Sequence, residues 1–158
     1  MTRIASARQI GRNCKVADRL VAAGSTLTLT QAEHEGRTIC LDTTTGSTVT
    51  LPQATGTGAI YKFMQTVLAT TSSHVIKVAN ATDIIQGVVF TVTTTSTNAE
   101  AFATTATSDT ITLTRTTMGG TVQGEYFELQ DIVTGVFAVR GFTSSTGTEA
   151  SPFSAAVS

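Results

Sequence analysis

The stretch from Thr38 to Gln65, TICLDTTTGSTVTLPQATGTGAIYKFMQ, restricts the fold more than any other part of the chain. Ile39 and Leu41 alternate with polar neighbours, and Val49 and Leu51 do so again beyond a turn-forming run from Thr43 to Ser47. A period of two puts alternate side chains on one face of a strand, so the pattern predicts a hairpin with an apolar face and a threonine face. Pro52 ends the second strand because it has no N–H for a ladder hydrogen bond. Gly56 and Gly58 turn the chain into a third strand from Ala59 to Ala69.

Composition points the same way. Only 13% of residues are charged, about half the usual share. Threonine fills the gap at about a fifth of the chain, and its branched Cβ suits a half-exposed pleated surface. At 158 residues the chain is one domain by expectation and long enough to bury a core without cross-links. A net charge of −1 exerts no global pull on nucleic acid or anionic membrane.

The neutrality hides an asymmetry. Arg3, Arg8, Arg12, Lys15 and Arg19 are half of the ten basic residues, and Asp18 is the one acid among the first nineteen positions. Residues 1–24 read as a basic N-terminal arm that orders on a partner; the 8–12–15–19 spacing also permits a short helix, which Gly11 and Asn13 weaken. The arm's bases are the candidate docking residues. It has no interleaved aromatics for stacking single strands, so protein docking is preferred to nucleic acid. Cys14 and Cys40 read as two isolated thiols, with a disulfide kept open. The leader lacks the apolar run of a secretory signal, and no segment approaches the ~18 apolar residues of a membrane span.

Residues 25–142 read as the β domain. Thr26–Thr30 alternates strictly, and the polar connection after it holds His34 between Glu33 and Glu35. Further strands are expected at His74–Ala79, Ile84–Thr94 and Asp109–Thr114, with Ala99–Ala106 ambiguous. The run IIQGVVFTVTT is apolar at both parities in its centre and reads as buried, with Gly87 marking a bulge or a close backbone approach. Glu125–Val133 and Val136–Phe142 form a closing hairpin across Thr134–Gly135. Residues 143–158 read as a tail that Phe153 docks. TIxL at 38–41 and at 110–113, each followed by Thr-Thr and Thr-Val, hints at a duplicated hairpin. No helix is expected after Gly24. The predicted class is all-β: a small antiparallel sandwich or barrel with an extended N-terminal arm.

No catalytic constellation emerges. His34 and His74 read as solvated histidines, and no Gly-x-Ser-x-Gly elbow accompanies them. His, Cys and acidic residues are too scattered for a zinc or calcium site. Glu125 and Glu128 have opposite parity and cannot form a carboxylate pair on one face. No phosphate loop is present, and no cofactor is expected. Asn80-Ala81-Thr82 matches a glycosylation acceptor by chance composition.

The runs LTLTQAEHEGRTICLDTTTGSTVTLPQATGTGAIYKFMQTV, SSHVIKVANATDIIQGVV and ATSDTITLTRTTMGGTVQGEYFELQDIVTGVFAVRGF resemble small capsid decoration (head cement) proteins of tailed bacteriophages. The best local matches are Gly46-Ser47-Thr48-Val49-Thr50-Leu51-Pro52 and Val75-Ile76-Lys77-Val78-Ala79. The resemblance covers Leu27 to Phe142, leaving out both arm and tail. It implies a structural virion protein and not an enzyme: a homotrimer seated on the outer surface of an assembled capsid, made in the host cytoplasm, with the major capsid protein as partner. Neither nucleic acid nor membrane is implied. Arg3, Arg8, Arg12, Lys15 and Arg19 would then reach an acidic capsid surface. The alternative is a phage tail or spike β module that binds host-surface glycan, against which the lack of Trp counts.

Overall fold

The computed structural model describes residues 19–95, 98–115 and 117–157. Among these residues there are twelve strands and one short helix: β1 Leu20–Ala22, β2 Thr26–Thr28, α1 Gln31–His34, β3 Thr38–Leu41, β4 Thr48–Thr50, β5 Ile60–Gln65, β6 His74–Lys77, β7 Ile84–Thr93, β8 Ala99–Ala103, β9 Thr110–Leu113, β10 Tyr126–Val133, β11 Val136–Ser145 and β12 Phe153–Ser154. The described residues are thus all-β but for one helical turn. That turn is a departure from the sequence reading, which expected no helix there.

The strands form two mixed sheets. One has seven strands in the order β1-β3-β5-β10-β11-β7-β8, the other five in the order β12-β9-β6-β4-β2. Up to β6 the chain changes sheet with every strand. In consequence β1, β3 and β5 run parallel in one sheet, and β2, β4 and β6 run parallel in the other. After β6 the antiparallel pairs β7–β8 and β10–β11 complete the larger sheet.

This topology corrects two expectations. The segment from Thr38 to Thr50 is not a hairpin, because β3 and β4 lie in different sheets. Local alternation says which residues face inward but not which strand is the neighbour. The turn at 43–47 is an arch between sheets, with the Thr43 and Ser47 hydroxyls 3.1 Å apart. Nor is the protein antiparallel throughout: five of the pairings are parallel, including the ten-residue β11–β7 pair. The TIxL echo falls on β3 and β9, again in different sheets, and among the described residues no strand follows β9 in the manner of β4.

Both sheets bury one face in a common core. Ile39, Leu41, Tyr61, Phe63, Ile85, Phe127, Leu129 and Phe137 come from the larger sheet, and Val49, Ile76, Ile111 and Leu113 from the smaller. Tyr61 and Phe137 meet edge-on, ring centroids 6.4 Å apart at 67°. Gly87 sits where the backbones close up: its φ is 146°, and a Cβ there would lie 2.1 Å from the Val139 carbonyl oxygen. The expected close approach is real. Gly135, at φ 82°, makes the turn between β10 and β11 as the sequence indicated.

The ends of the chain are tied in. β1 lies within the 1–24 stretch and pairs with β3. Thr143–Ser145 prolong β11, and β12 adds to β9 with Phe153 packed against the core. The Asp109 carboxylate accepts the Ala156 and Val157 N–H groups at 2.8 and 3.2 Å, fixing the last described turn.

Candidate interaction surface

Polar side chains inside the protein could carry chemistry, but they are committed to holding turns. Asp131 accepts from the N–H groups of Thr55, Gly56 and Thr57 at 3.1, 2.7 and 3.0 Å, and from the Thr57 hydroxyl at 2.9 Å. Burial pushes its carboxyl up, but these hydrogen bonds outweigh burial and hold it below the usual range. Asp109 behaves alike: burial raises it, and the Ala156, Thr110 and Val157 donors carry the net shift downward. Asp83 takes the Ala54 N–H and the Asn80 amide. Glu125 accepts from the Gly120, Thr121, Val122 and Ser144 N–H groups and, at 2.5 Å, from the Ser144 hydroxyl. Each carboxylate clamps a loop. Glu125 and Glu128 do fall on opposite faces, one buried and the other half-buried at the surface.

The histidines correct the sequence reading, which placed both in solvent. His34 is 7% exposed, and its Nδ1 accepts the Thr30 N–H at 3.0 Å, closing the turn of α1. His74 is fully buried: Nδ1 accepts the Ser47 N–H and Nε2 donates to the Val67 carbonyl, each at 3.0 Å. Desolvation lowers its pKa, against smaller raising effects from Val67, Asp42 and Glu125. The Ser47 hydroxyl turns to Thr43 and not to the ring, so the pair is no nucleophile and base. Among the described residues no three His, Cys, Asp or Glu side chains gather as a metal site.

What remains is on the outer face of the larger sheet. β7 buries Ile85, Val89 and Thr91 inward and turns Val88, Phe90 and Val92 out, the two phenyl-adjacent valines flanking Phe90 at 38% and 53% exposure. The whole run was expected to be buried; only one parity is. Phe142 on β11 is 68% exposed, and its ring stacks on Phe90 with centroids 5.9 Å apart at 21°. Register continues the row across the sheet as Ala101, Phe90, Phe142, Tyr126, Met64, Cys40 and Ala22. Beside Phe142 a shallow depression of about 350 Å³ is lined by Val92, Val122 and Gly124. The neighbouring row is charged: Arg140 Nε reaches Glu128 at 3.0 Å, and the Tyr126 hydroxyl donates to Glu128 at 2.9 Å. Burial, then that hydrogen bond and the Glu128 charge, push Tyr126 up to about 12, so it stays a donor.

These residues were missed as a surface although one signal was present. Arg140 and Phe142 share parity on β11, and a charged residue marks its face as the wet one. Arg19, the one member of the basic set among the described residues, is exposed and stands next to β1 at the far edge of the same sheet. It lies about 19 Å from β11, four strand spacings away. Arg3, Arg8, Arg12 and Lys15 lie outside the described residues, as does Cys14. Cys40 is a buried free thiol, raised by desolvation and by the Asp42 charge.

No helix among the described residues is long and apolar enough to cross a membrane. No protein-family model matches the chain, and neither a curated protein nor a solved structure does.

Proposed function

We propose that this chain is a structural virion protein that binds the outer surface of an assembled tailed-phage capsid and stabilises it as a cement. On this reading the two sheets pack as a sandwich that holds its outer face rigid. The observation that carries the reading is the stacked, exposed Phe90–Phe142 pair on that face. Aromatic side chains anchored on strands supply large contact area at little entropic cost, the character of a binding hot spot. Burying the two rings is worth ~1.5–3 kcal/mol each before the costs of association. Arg140 and Glu128 form a polar rim beside them. The carboxylates bound up in turns favour a scaffold over a catalyst.

The copy number implied by the sequence resemblance is three, and three-fold repetition multiplies weak contacts into durable attachment. The basic set Arg3, Arg8, Arg12, Lys15 and Arg19 adds a second, salt-sensitive attachment to the major capsid protein.

Co-sedimentation with assembled capsids of the phage that encodes the chain tests the reading. Saturable occupancy of shells is expected, with weak binding to free capsid subunits. Deleting residues 1–19 should lower occupancy and its salt dependence together. A protein that ignores capsids and instead binds host-surface polysaccharide would select the tail or spike alternative.

A further inference from the structure

The larger sheet ends at β8, and this edge is built differently from the other three. β1 and β2 are three residues long and β12 only two, so those edges offer little to a passing strand. β8 is five residues, AEAFA, paired to β7 without a bulge from Val88↔Ala103 to Val92↔Ala99. It carries no Lys and no Pro. Among the described residues nothing pairs with its far side.

The hydrogen-bond phase fixes which groups are left over. Thr104 donates to the Gly87 carbonyl, and Thr93 donates to the Asn98 carbonyl, at 3.0 and 3.2 Å. Alternation between these points directs the backbone of Glu100 and Phe102 towards β7. The N–H and C=O groups of Ala99, Ala101 and Ala103 therefore point outward from the edge. Their methyl side chains share the outer face with Val92, Phe90 and Val88, their register partners. An open ladder bordered by apolar surface is a surface that water satisfies poorly and another strand satisfies well.

We propose that β8 pairs antiparallel with β8 of a second copy of this chain, about a two-fold axis at Ala101. In that register Ala101 faces its own counterpart and Ala99 faces Ala103, so all three outward-pointing residues on each side find partners. The small side chains let the backbones approach. Charge selects the register: centring on Glu100 would set two carboxylates directly opposite, whereas centring on Ala101 sets Glu100 against the apolar Phe102. The two larger sheets become one, and the Phe90–Phe142 strips of both copies lie on the same side of it. A pair of five-residue strands buries less than the ~1,200–2,000 Å² of a standard stable complex. The association is accordingly weak in dilute solution and strengthened wherever copies are held together. It does not depend on the capsid reading, and a trimer closed through other surfaces would pair with a second trimer by the same edge.

Sedimentation velocity of the full chain from about 1 µM to about 1 mM tests it. The smallest species should double in mass as concentration rises. Ala101→Lys sets two ammonium groups at the axis and should weaken the association at least about tenfold, while Ala101→Val should change it little. Unchanged circular dichroism and melting temperature show that the variants fold. Hydrogen exchange supplies an independent readout: the Ala99, Ala101 and Ala103 amides should gain protection with concentration while those of Glu100 and Phe102 are protected throughout. Mass that never doubles, doubling that Ala101→Lys leaves intact, or exchange at Ala101 that ignores concentration would each overturn the proposal.

Discussion

The Asp131 carboxylate and the Gly56 N–H meet at 2.7 Å although 75 residues separate them in the chain. The contact joins the end of β10 to the loop before β5. Thr55 and Thr57 complete the clamp from either side of Gly56, and little of Asp131 is exposed. Asp131→Ala would leave the three N–H groups of an exposed loop without their carboxylate acceptor. The expected loss is about 1.5–3 kcal/mol, the worth of hydrogen bonds to a charged group, because water can take up the freed loop donors. Asp131→Asn should fall between, because its amide nitrogen points one donor at another. Urea unfolding of both variants measures the order.

Acid should unfold the protein in two stages. His74 has its pKa lowered by burial, so the folded state favours the neutral ring. That contribution is complete above the unfolded value of about 6.5 and is lost as pH falls through the lower folded value. Asp109 and Asp131 are also lowered, through their N–H donors despite burial. Their contribution is complete above about 4 and is lost as pH drops below it. Denaturation midpoints measured from pH 8 to pH 3 should show both steps. His74→Gln should abolish the upper one and keep the lower; an upper step that survives would mean that another group titrates there.

How far the sequence could be read is plain from particular strands. The β10–β11 hairpin was legible because a two-residue turn with Gly135 at positive φ is a local device. Gly87 was legible as a bulge or a close approach, because a glycine inside an apolar strand marks one or the other, and the structure shows the approach, to Val139. The β3–β4 arch was not, since alternation in TICL and TVT looks the same whether the next strand is a neighbour or lies in the other sheet. In β7 a run of apolar residues at both parities gave no cue that Phe90 stands outside. The carboxylate clamps were hidden for a third reason: partners such as Asp131 and Gly56 are brought together only by the finished fold.

Thr91 offers a gain in stability. It is 1% exposed on the inner parity of β7, and its hydroxyl has no hydrogen-bond partner among the described residues. The group was stripped of water on folding with nothing in return. Thr91→Val keeps the branched shape and removes the desolvated oxygen, so stability should rise by about 1 kcal/mol. At this chain length that corresponds to a melting temperature higher by about 2–4 °C. Calorimetry decides; a fall would mean that the hydroxyl is satisfied by ordered water that valine expels.

Phe142 should separate stability from binding. With 68% of its surface in water, its side chain contributes little to the core, and its main intramolecular contact is the stack on Phe90. Phe142→Ser forfeits that stack, about 0.5–1.5 kcal/mol, with an otherwise unchanged fold. Solubility should rise, because the most exposed apolar side chain of the strip is gone. If the outer face is what meets the capsid, occupancy of shells should fall by more than tenfold, since truncating a central aromatic costs about 2 kcal/mol or more of binding. Arg140→Ala, on the polar rim of the same strand, should lower occupancy much less and mainly at low salt. Equal losses for the two variants would place the contact elsewhere, and a Phe142→Ser protein that melts far below wild type would make the ring a structural residue.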